Sequence, residues 1–99
     1  MSLTGKNVII RSTDGGCFAG TLVEQNDTVR KVVLANARRL WGWAGAASLS
    51  ELAVRGTSNP QECRFPVPTK RHEIFDVVEI IEMSPEAVAN IEQVSIWSE

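Results

Sequence analysis

The chain has 99 residues, of which 43% are hydrophobic, and a formal net charge of -2 at pH 7. This length allows one domain with a core large enough to fold alone, so we treat residues 1–99 as a single domain. No apolar run approaches the roughly 18 residues needed to cross a bilayer. The N-terminus also lacks the layout of a secretory leader. We therefore expect no membrane association and a cytoplasmic location.

The charges are unevenly distributed along the chain. All ten Lys and Arg residues lie in residues 1–71 together with five acids, whereas residues 72–99 carry seven acids and no base. Seven of the ten bases are Arg, whose planar guanidinium binds phosphate through paired N–H groups and stacks on rings. An acidic chain argues against duplex DNA as a partner and favours a small, localised anion.

The first part of the chain predicts a meander of three strands. Residues 6–12 are rich in β-branched side chains and end at Asp14-Gly15-Gly16, a strong hairpin signal. Residues 17–25 form the returning strand. After a turn at residues 26–28, a third strand runs with interruptions from residue 30 to residue 43.

A capping box predicts the first helix. Ser48 is expected to accept from the Glu51 amide while the Glu51 carboxylate accepts from the Ser48 amide, with a helix over about residues 49–55. Gly56 is the expected stop. Residues 62–68 carry prolines at alternate positions, which restricts them to an edge or an extended loop.

Residues 72–83 are ambiguous because their acids recur every three residues while their apolar residues are mostly β-branched. We interpret them as one strand, lying centrally under a covering helix. Ser84-Pro85-Glu86 then starts a last helix that runs to about Gln93, and Trp97 is expected to dock on the body or on another subunit. The predicted fold is α+β, an antiparallel sheet of about five strands with two short helices.

The stretch from Asn36 to Ala53 contains the strongest candidate binding residues. If residues 36–43 are extended, Arg39, Trp41 and Trp43 share one face and Arg38 lies on the other. A guanidinium beside indoles suits a nucleotide, since a ring stacks on a base for roughly 1–3 kcal/mol and Arg binds phosphate. Core packing of the tryptophans and a solvated or salt-bridged arginine pair are the structural alternatives.

A second cation-plus-ring pair follows at Arg64 and Phe65. Catalytic motifs are missing from the sequence, and His72 is the only candidate base for either Cys17 or Cys63. The two cysteines lack the spacing of a metal site or a disulfide framework. We predict no enzyme activity, no metal and no cofactor. His72 is interpreted as a surface histidine on a strand edge.

The order of "VIIRS", "GGCFAGTL", "NARRLWGWAGAASLSELAVRGTSNPQECRFP", "DVVEIIEMS" and a final helix ending in "SIW" resembles a group of short phage and prophage proteins. This group is similar to the phage sponges of the Thoeris anti-defence 1 kind. The resemblance implies an oligomer that sequesters a cyclic nucleotide immune signal, a cyclic ADP-ribose derivative or a cyclic oligonucleotide, in the host bacterial cytoplasm. The residues that it implies as ligand contacts are Asn36, Arg38, Arg39, Trp41 and Trp43, followed by Phe18, Arg64 and Phe65.

Three other functions fit the same residues. Trp41, Trp43 and Arg39 suit a protein-docking cluster that inhibits a host defence enzyme or effector, because these residue types dominate interface hot spots. A single-strand nucleic-acid module uses the same stacking and phosphate contacts. An enzyme that opens a cyclic nucleotide is the catalytic alternative.

Overall fold

The computed structural model describes residues 3–98, which fold into one five-stranded antiparallel sheet with two helices. The predicted fold class is thereby confirmed. The elements in chain order are β1 (Asn7–Ser12), β2 (Gly16–Asn26), β3 (Lys31–Arg39), α1 (Leu49–Arg55), a short 3₁₀ turn (Pro60–Glu62), β4 (Thr69–Ile74), β5 (Val77–Glu82) and α2 (Pro85–Glu92).

The strand order is β4-β3-β2-β1-β5, so β4 and β5 lie at opposite edges of the sheet. Only Phe75 and Asp76 separate these two strands in the chain. The sheet must therefore curl until its edges approach each other. The Val77 amide donates to the Arg30 carbonyl at 3.0 Å, and the Thr13 amide donates to the Asp76 carbonyl at 3.0 Å, which ties the β4–β5 turn to the two preceding turns.

The curled sheet separates two apolar clusters. The inner cluster draws on all five strands and includes Val8, Ile10, Phe18, Leu22, Val32, Leu34 and Ile74. The outer cluster lies under the helices and includes Ile9, Ala19, Leu52, Phe65, Ala87 and Ile91. Successive residues of β1 alternate between the two clusters, as the two-residue period of a strand requires. Both faces of the sheet are thus packed.

The prediction of one central strand over residues 72–83 is wrong. The segment forms β4 and β5, which turn at Phe75-Asp76 and occupy the two edges of the sheet. Asp76 has a φ of +56°. Asp tolerates this left-handed conformation better than most residues, so the chain reverses there without a glycine. The recurring acids thus span two strands and a turn.

The predicted third strand is also too long. β3 ends at Arg39, and the Leu40 amide donates to the Cys17 carbonyl at 2.8 Å before the chain leaves the sheet. Residues 63–68 are an extended loop outside the regular strands, as their prolines predict, and Glu62 ends the 3₁₀ turn. Trp97 docks on the body through its amide, which donates to the Phe65 carbonyl at 3.0 Å.

The helix starts are confirmed with one change of partner. Ser48 accepts from the Glu51 amide at 3.1 Å, and Ser84 accepts from the Ala87 amide at 3.0 Å. The Glu51 carboxylate, however, accepts from the Ala47 amide at 2.6 Å instead of the predicted Ser48 amide. Gly56 ends α1 with a φ of +78°.

Candidate functional site

Arg38 lies on the helix-covered side of the sheet and is 7% exposed. Its guanidinium donates to the Pro66, Ile91 and Phe65 carbonyls at 3.2, 3.0 and 3.1 Å. Burial lowers the pKa of Arg38. The three carbonyls satisfy most of the donors of this cation, which connects β3 to the end of α2 and to the proline-rich loop. Arg38 therefore has a structural role in the described residues.

Arg39 points to the opposite side of the sheet. Its guanidinium carbon lies 4.4 Å from the centroid of the Phe18 ring, and it donates a hydrogen bond to the Gly15 carbonyl. Phe18 is 2% exposed and pairs with Arg39 across β2 and β3. The His72 ring lies 4.9 Å from the Phe18 ring, and its Nδ1 is 2.9 Å from the Thr69 hydroxyl.

Burial and the nearby Arg39 charge, in that order, lower the pKa of His72. Phe18, Arg39 and His72 thus meet at the end of the inner cluster. They line a cavity of about 300 Å³, whose wall also includes Asp14, Glu73 and Asp76. The acids around this cavity make it a poor phosphate site. It is an organised cluster in which a cation, two rings and several carboxylates are close together.

Asn36 occupies a bulge in β3. The pairing with β2 shifts register between Ala19 and Thr21, and Asn36 has a φ of +50°. Its side chain is exposed and makes no hydrogen bond to any other residue in the range 3–98. Bulges re-aim side chains and are common beside binding sites.

Trp41 and Trp43 have different environments. Trp43 is half-buried and packs against the outer cluster, whereas Trp41 is 64% exposed. Arg39 packs on the inner side of the sheet. The prediction that Arg39, Trp41 and Trp43 share one face is therefore wrong, because the strand ends at Arg39 and the alternation ends with it.

Arg64 and Trp97 form a surface next to Trp41. The Trp41 and Gly42 amides both donate to the Arg64 carbonyl, at 3.1 and 3.3 Å, and the Arg64 amide donates to the Gly42 carbonyl at 2.7 Å. The exposed Arg64 guanidinium lies 5.8 Å from the centroid of the Trp97 ring. We call Trp41, Gly42, Arg64 and Trp97 the Trp97 surface.

The Trp97 ring also lines a cavity of about 440 Å³. Gln61 and Gln93 lie in its wall, and within residues 3–98 no charged side chain does. Arg64 makes no ion pair within residues 3–98, so its charge beside the Trp97 ring has no carboxylate partner there. A Cβ placed on Gly42 would meet no heavy atom within 4 Å, which leaves the backbone accessible.

The predicted site residues therefore fall into separate groups. Phe18 and Arg39 lie together on the inner side, Arg38 and Phe65 lie together under the helices, and Trp41 and Arg64 lie together at the surface. Phe65 is fully buried, and its carbonyl accepts from both Arg38 and the Trp97 amide.

Sequence reasoning did not select His72 or Trp97 as site residues. His72 was interpreted as a surface histidine on a strand edge. It lies on the edge strand β4 but is half-buried, because the curl of the sheet turns its ring onto Phe18. For Trp97, the only signal in the sequence was the general tendency of guanidinium groups to pack on aromatic rings. Within the described part of the chain, no group of three or more His, Cys, Asp or Glu is placed to hold a metal ion. None of the helices described is long and apolar enough to cross a membrane.

A protein-family model described as a domain of unknown function, DUF6948, matches residues 5–91 of the chain. The chain belongs to the DUF6948 family. The match includes Trp41, Gly42 and Arg64 of the Trp97 surface and ends before Gln93 and Trp97. No curated protein and no solved structure matches the chain significantly.

Membership of DUF6948 covers most of the chain but assigns it no ligand or activity. At the Trp97 surface, rings, a cation without an ion pair in residues 3–98 and a cavity lie together.

Proposed function

We propose that this protein is a noncatalytic binding protein that sequesters a cyclic nucleotide signal and so protects a phage from bacterial immunity. The observation that supports the proposal is the Arg64 guanidinium over Trp97, a ring that lines a cavity whose side chains within residues 3–98 are neutral. The immune role and the cyclic class of ligand come from the resemblance of residues 36–53 to phage sponges. The location that follows is the cytoplasm of the host bacterium.

The ligand is held by stacking of its base and by charge attraction to its phosphate. Arg64 binds a phosphate of the ligand through paired N–H donors. A base stacks on the Trp97 indole, a contact that contributes roughly 1–3 kcal/mol. The side-chain amides of Gln61 and Gln93 offer both donors and acceptors to the base edge.

Oligomerisation follows from how little of a ligand one chain encloses. Trp41, which belongs to the Trp97 surface, is 64% exposed. Tryptophans are enriched at interfaces, and a cleft between two copies buries more of a ligand than one open cavity does. We propose that a second copy packs against Trp41 and covers the bound nucleotide.

The test is isothermal titration of the purified protein with cyclic ADP-ribose isomers and with cyclic di- and trinucleotides. We expect one of these ligands to bind and to stabilise the fold, by about 2.7 kcal/mol at 100 times its dissociation constant. Denaturing the complex should release the ligand unchanged. Arg64→Gln should weaken binding at least about tenfold, because charged hydrogen bonds contribute roughly 1.5–3 kcal/mol.

Arg30→Gln is the matched control, since Arg30 is also exposed and makes no ion pair within residues 3–98. It should bind like the wild type. A chain that binds none of these nucleotides contradicts the proposal. Recovery of an altered ligand would make the protein an enzyme, and equal losses in the two Arg variants would indicate nonspecific charge attraction.

A second candidate function is direct inhibition of a host defence protein. It is favoured by the exposure of Val67 at 62% and Ile96 at 56% in addition to Trp41. Bridges between Gly42 and Arg64 and between Phe65 and Ile96 bring these segments together. Large exposed apolar side chains that lie close together in space are typical of protein-docking surfaces. Retention of a host protein by the immobilised wild type but not by Trp41→Ala, with no nucleotide bound, would favour this function.

A further inference from the structure

A groove lies between α2 and the middle of the sheet, and it shares no residue with the Trp97 surface. Its volume is about 310 Å³, at the lower end of the range for small-molecule pockets. Ala19, Met83 and Ile91 supply apolar walls, and each is less than 10% exposed. Asn7, Asn36 and Glu92 supply polar groups. This combination of apolar walls and a few polar groups is typical of a ligand site.

Gly20 of β2 lines the groove, and the close β3 backbone leaves no room for a side chain there. A Cβ at this position would lie 2.9 Å from the Ala35 carbonyl oxygen and 3.2 Å from the Ala37 Cα. The bulge at Asn36 brings the β3 backbone this close. The same bulge places the Asn36 side chain in the groove wall.

The polar groups in the wall retain capacity for a ligand. The Asn36 side chain makes no hydrogen bond within residues 3–98, and Glu92 makes no ion pair there. The Asn7 side-chain oxygen Oδ1 accepts from the Thr21 hydroxyl at 3.0 Å, which leaves the two N–H donors of the Asn7 side-chain amide. The groove therefore presents amide donors, an amide acceptor and a carboxylate.

The charge of the groove disfavours phosphate. Arg38 lines it, but its guanidinium donates to three carbonyls and is only 7% exposed. The Glu92 carboxylate is exposed, and like charges repel. A neutral ligand fits better than an anion.

We propose that this groove binds the base of a guanine nucleoside as a site separate from the Trp97 surface. Guanine presents two adjacent donors, N1–H and the exocyclic amino group, to the Glu92 carboxylate. Its acceptor atoms face the amide groups of Asn36 and Asn7. The planar ring lies against the apolar walls of Met83 and Ile91.

The test uses guanosine and adenosine, which carry no phosphate, in NMR titrations of the isotope-labelled wild type. Guanosine should shift the amide signals of residues around Gly20 and Asn36. Adenosine should bind at least about tenfold more weakly, because its N1 is an acceptor and would face the carboxylate without a proton. Glu92→Gln should remove most of this preference.

Asn36→Gly removes the amide and suits the positive φ, so the backbone of the bulge is retained. It should weaken guanosine binding at least about tenfold if two hydrogen bonds are lost. Arg30→Gly is the matched control, since Arg30 has a φ of +51° in another turn. It should bind guanosine like the wild type.

Guanosine binding that is unchanged in Asn36→Gly overturns the proposal, as does the absence of any shift around Gly20. Loss of guanosine binding in Arg64→Gln would place the nucleoside at the Trp97 surface and would also overturn it. Because guanosine lacks phosphate, these outcomes do not depend on whether a cyclic nucleotide binds at Arg64.

Discussion

Arg38 and Arg39 are adjacent in the chain, but they lie on opposite sides of the sheet with different partners. On the helix-covered side, the end of α2 and the proline-rich loop present backbone carbonyls that Arg38 satisfies. On the inner side, Arg39 contacts one carbonyl and the face of the Phe18 ring. Two identical side chains thus have different partners, because different distant segments pack on each face of the sheet.

Replacing Arg38 and Arg39 by alanine, one at a time, should give the largest difference in the free energy of unfolding between the two sides of the sheet. Arg38→Ala removes three charge-assisted hydrogen bonds to buried or half-buried carbonyls, of which those of Phe65 and Ile91 keep a backbone donor. We expect it to lower the free energy of unfolding by about 3 kcal/mol or more. Arg39→Ala removes one hydrogen bond and a cation–ring contact, for which about 1–2 kcal/mol is expected. Urea denaturation followed by circular dichroism measures both.

Arg38→Lys tests the geometry of the guanidinium. Lysine keeps the charge but lacks the planar fork that reaches three acceptors, so it should recover only part of the lost stability. Equal destabilisation by Arg38→Ala and Arg39→Ala would contradict the distinction between the two sides.

The tryptophans extend the comparison beyond the sheet. Trp43→Ala opens a gap beside the outer cluster and should lower the free energy of unfolding by about 2 kcal/mol, less than for a fully buried ring. Trp41→Ala should change it by less than about 0.5 kcal/mol, because the ring is 64% exposed. Urea denaturation of both variants provides the measurement.

Iodide quenching of the remaining fluorescence gives an independent check on Trp41. Trp41→Ala should leave an emission that iodide quenches less than in the wild type, because the most accessible ring has been removed. Strong destabilisation by Trp41→Ala would mean that this ring packs on the body of the protein.

Local signals in the sequence predict the helices well. Ser48 and Gly56 bound α1, and Ser84 with Pro85 starts α2, because capping depends on residues close together in the chain. The break between β4 and β5 lacks such a signal, since Phe75-Asp76 contains neither glycine nor proline. A continuous strand was the natural prediction for that segment.

The candidate site was harder to predict because its geometry is set by long-range contacts. Arg38 is buried by carbonyls of residues 65, 66 and 91, and none of these positions can be paired with it from spacing alone. The end of β3 at Arg39 also removes the alternation on which the predicted ring-and-cation face depended. The residue types indicated a binding site, but the directions in which the side chains point depend on long-range contacts in the fold.

The protonation of His72 tests the contacts on the inner side of the sheet, and its expected effect on the free energy of unfolding is the smallest. Burial and the Arg39 charge lower the pKa of His72, so the native imidazole stays neutral at a pH where the unfolded one binds a proton. The free energy of unfolding should therefore fall as the pH decreases below about 6.5, the ordinary pKa, and stop falling below the native pKa. His72→Gln should remove this slope above about pH 5, where most carboxylates remain charged.

His72 is the only histidine in the chain, so NMR titration of its ring protons reports this pKa without ambiguity. Arg39→Gln should raise the native pKa of His72 towards the ordinary value but not restore it fully, because burial is the larger cause. Asp14, Glu73 and Asp76 line the same cavity, and negative charge in general favours the protonated imidazole. An unchanged pKa in Arg39→Gln would mean that Arg39 acts on this cluster through its packing on Phe18 and not through its charge.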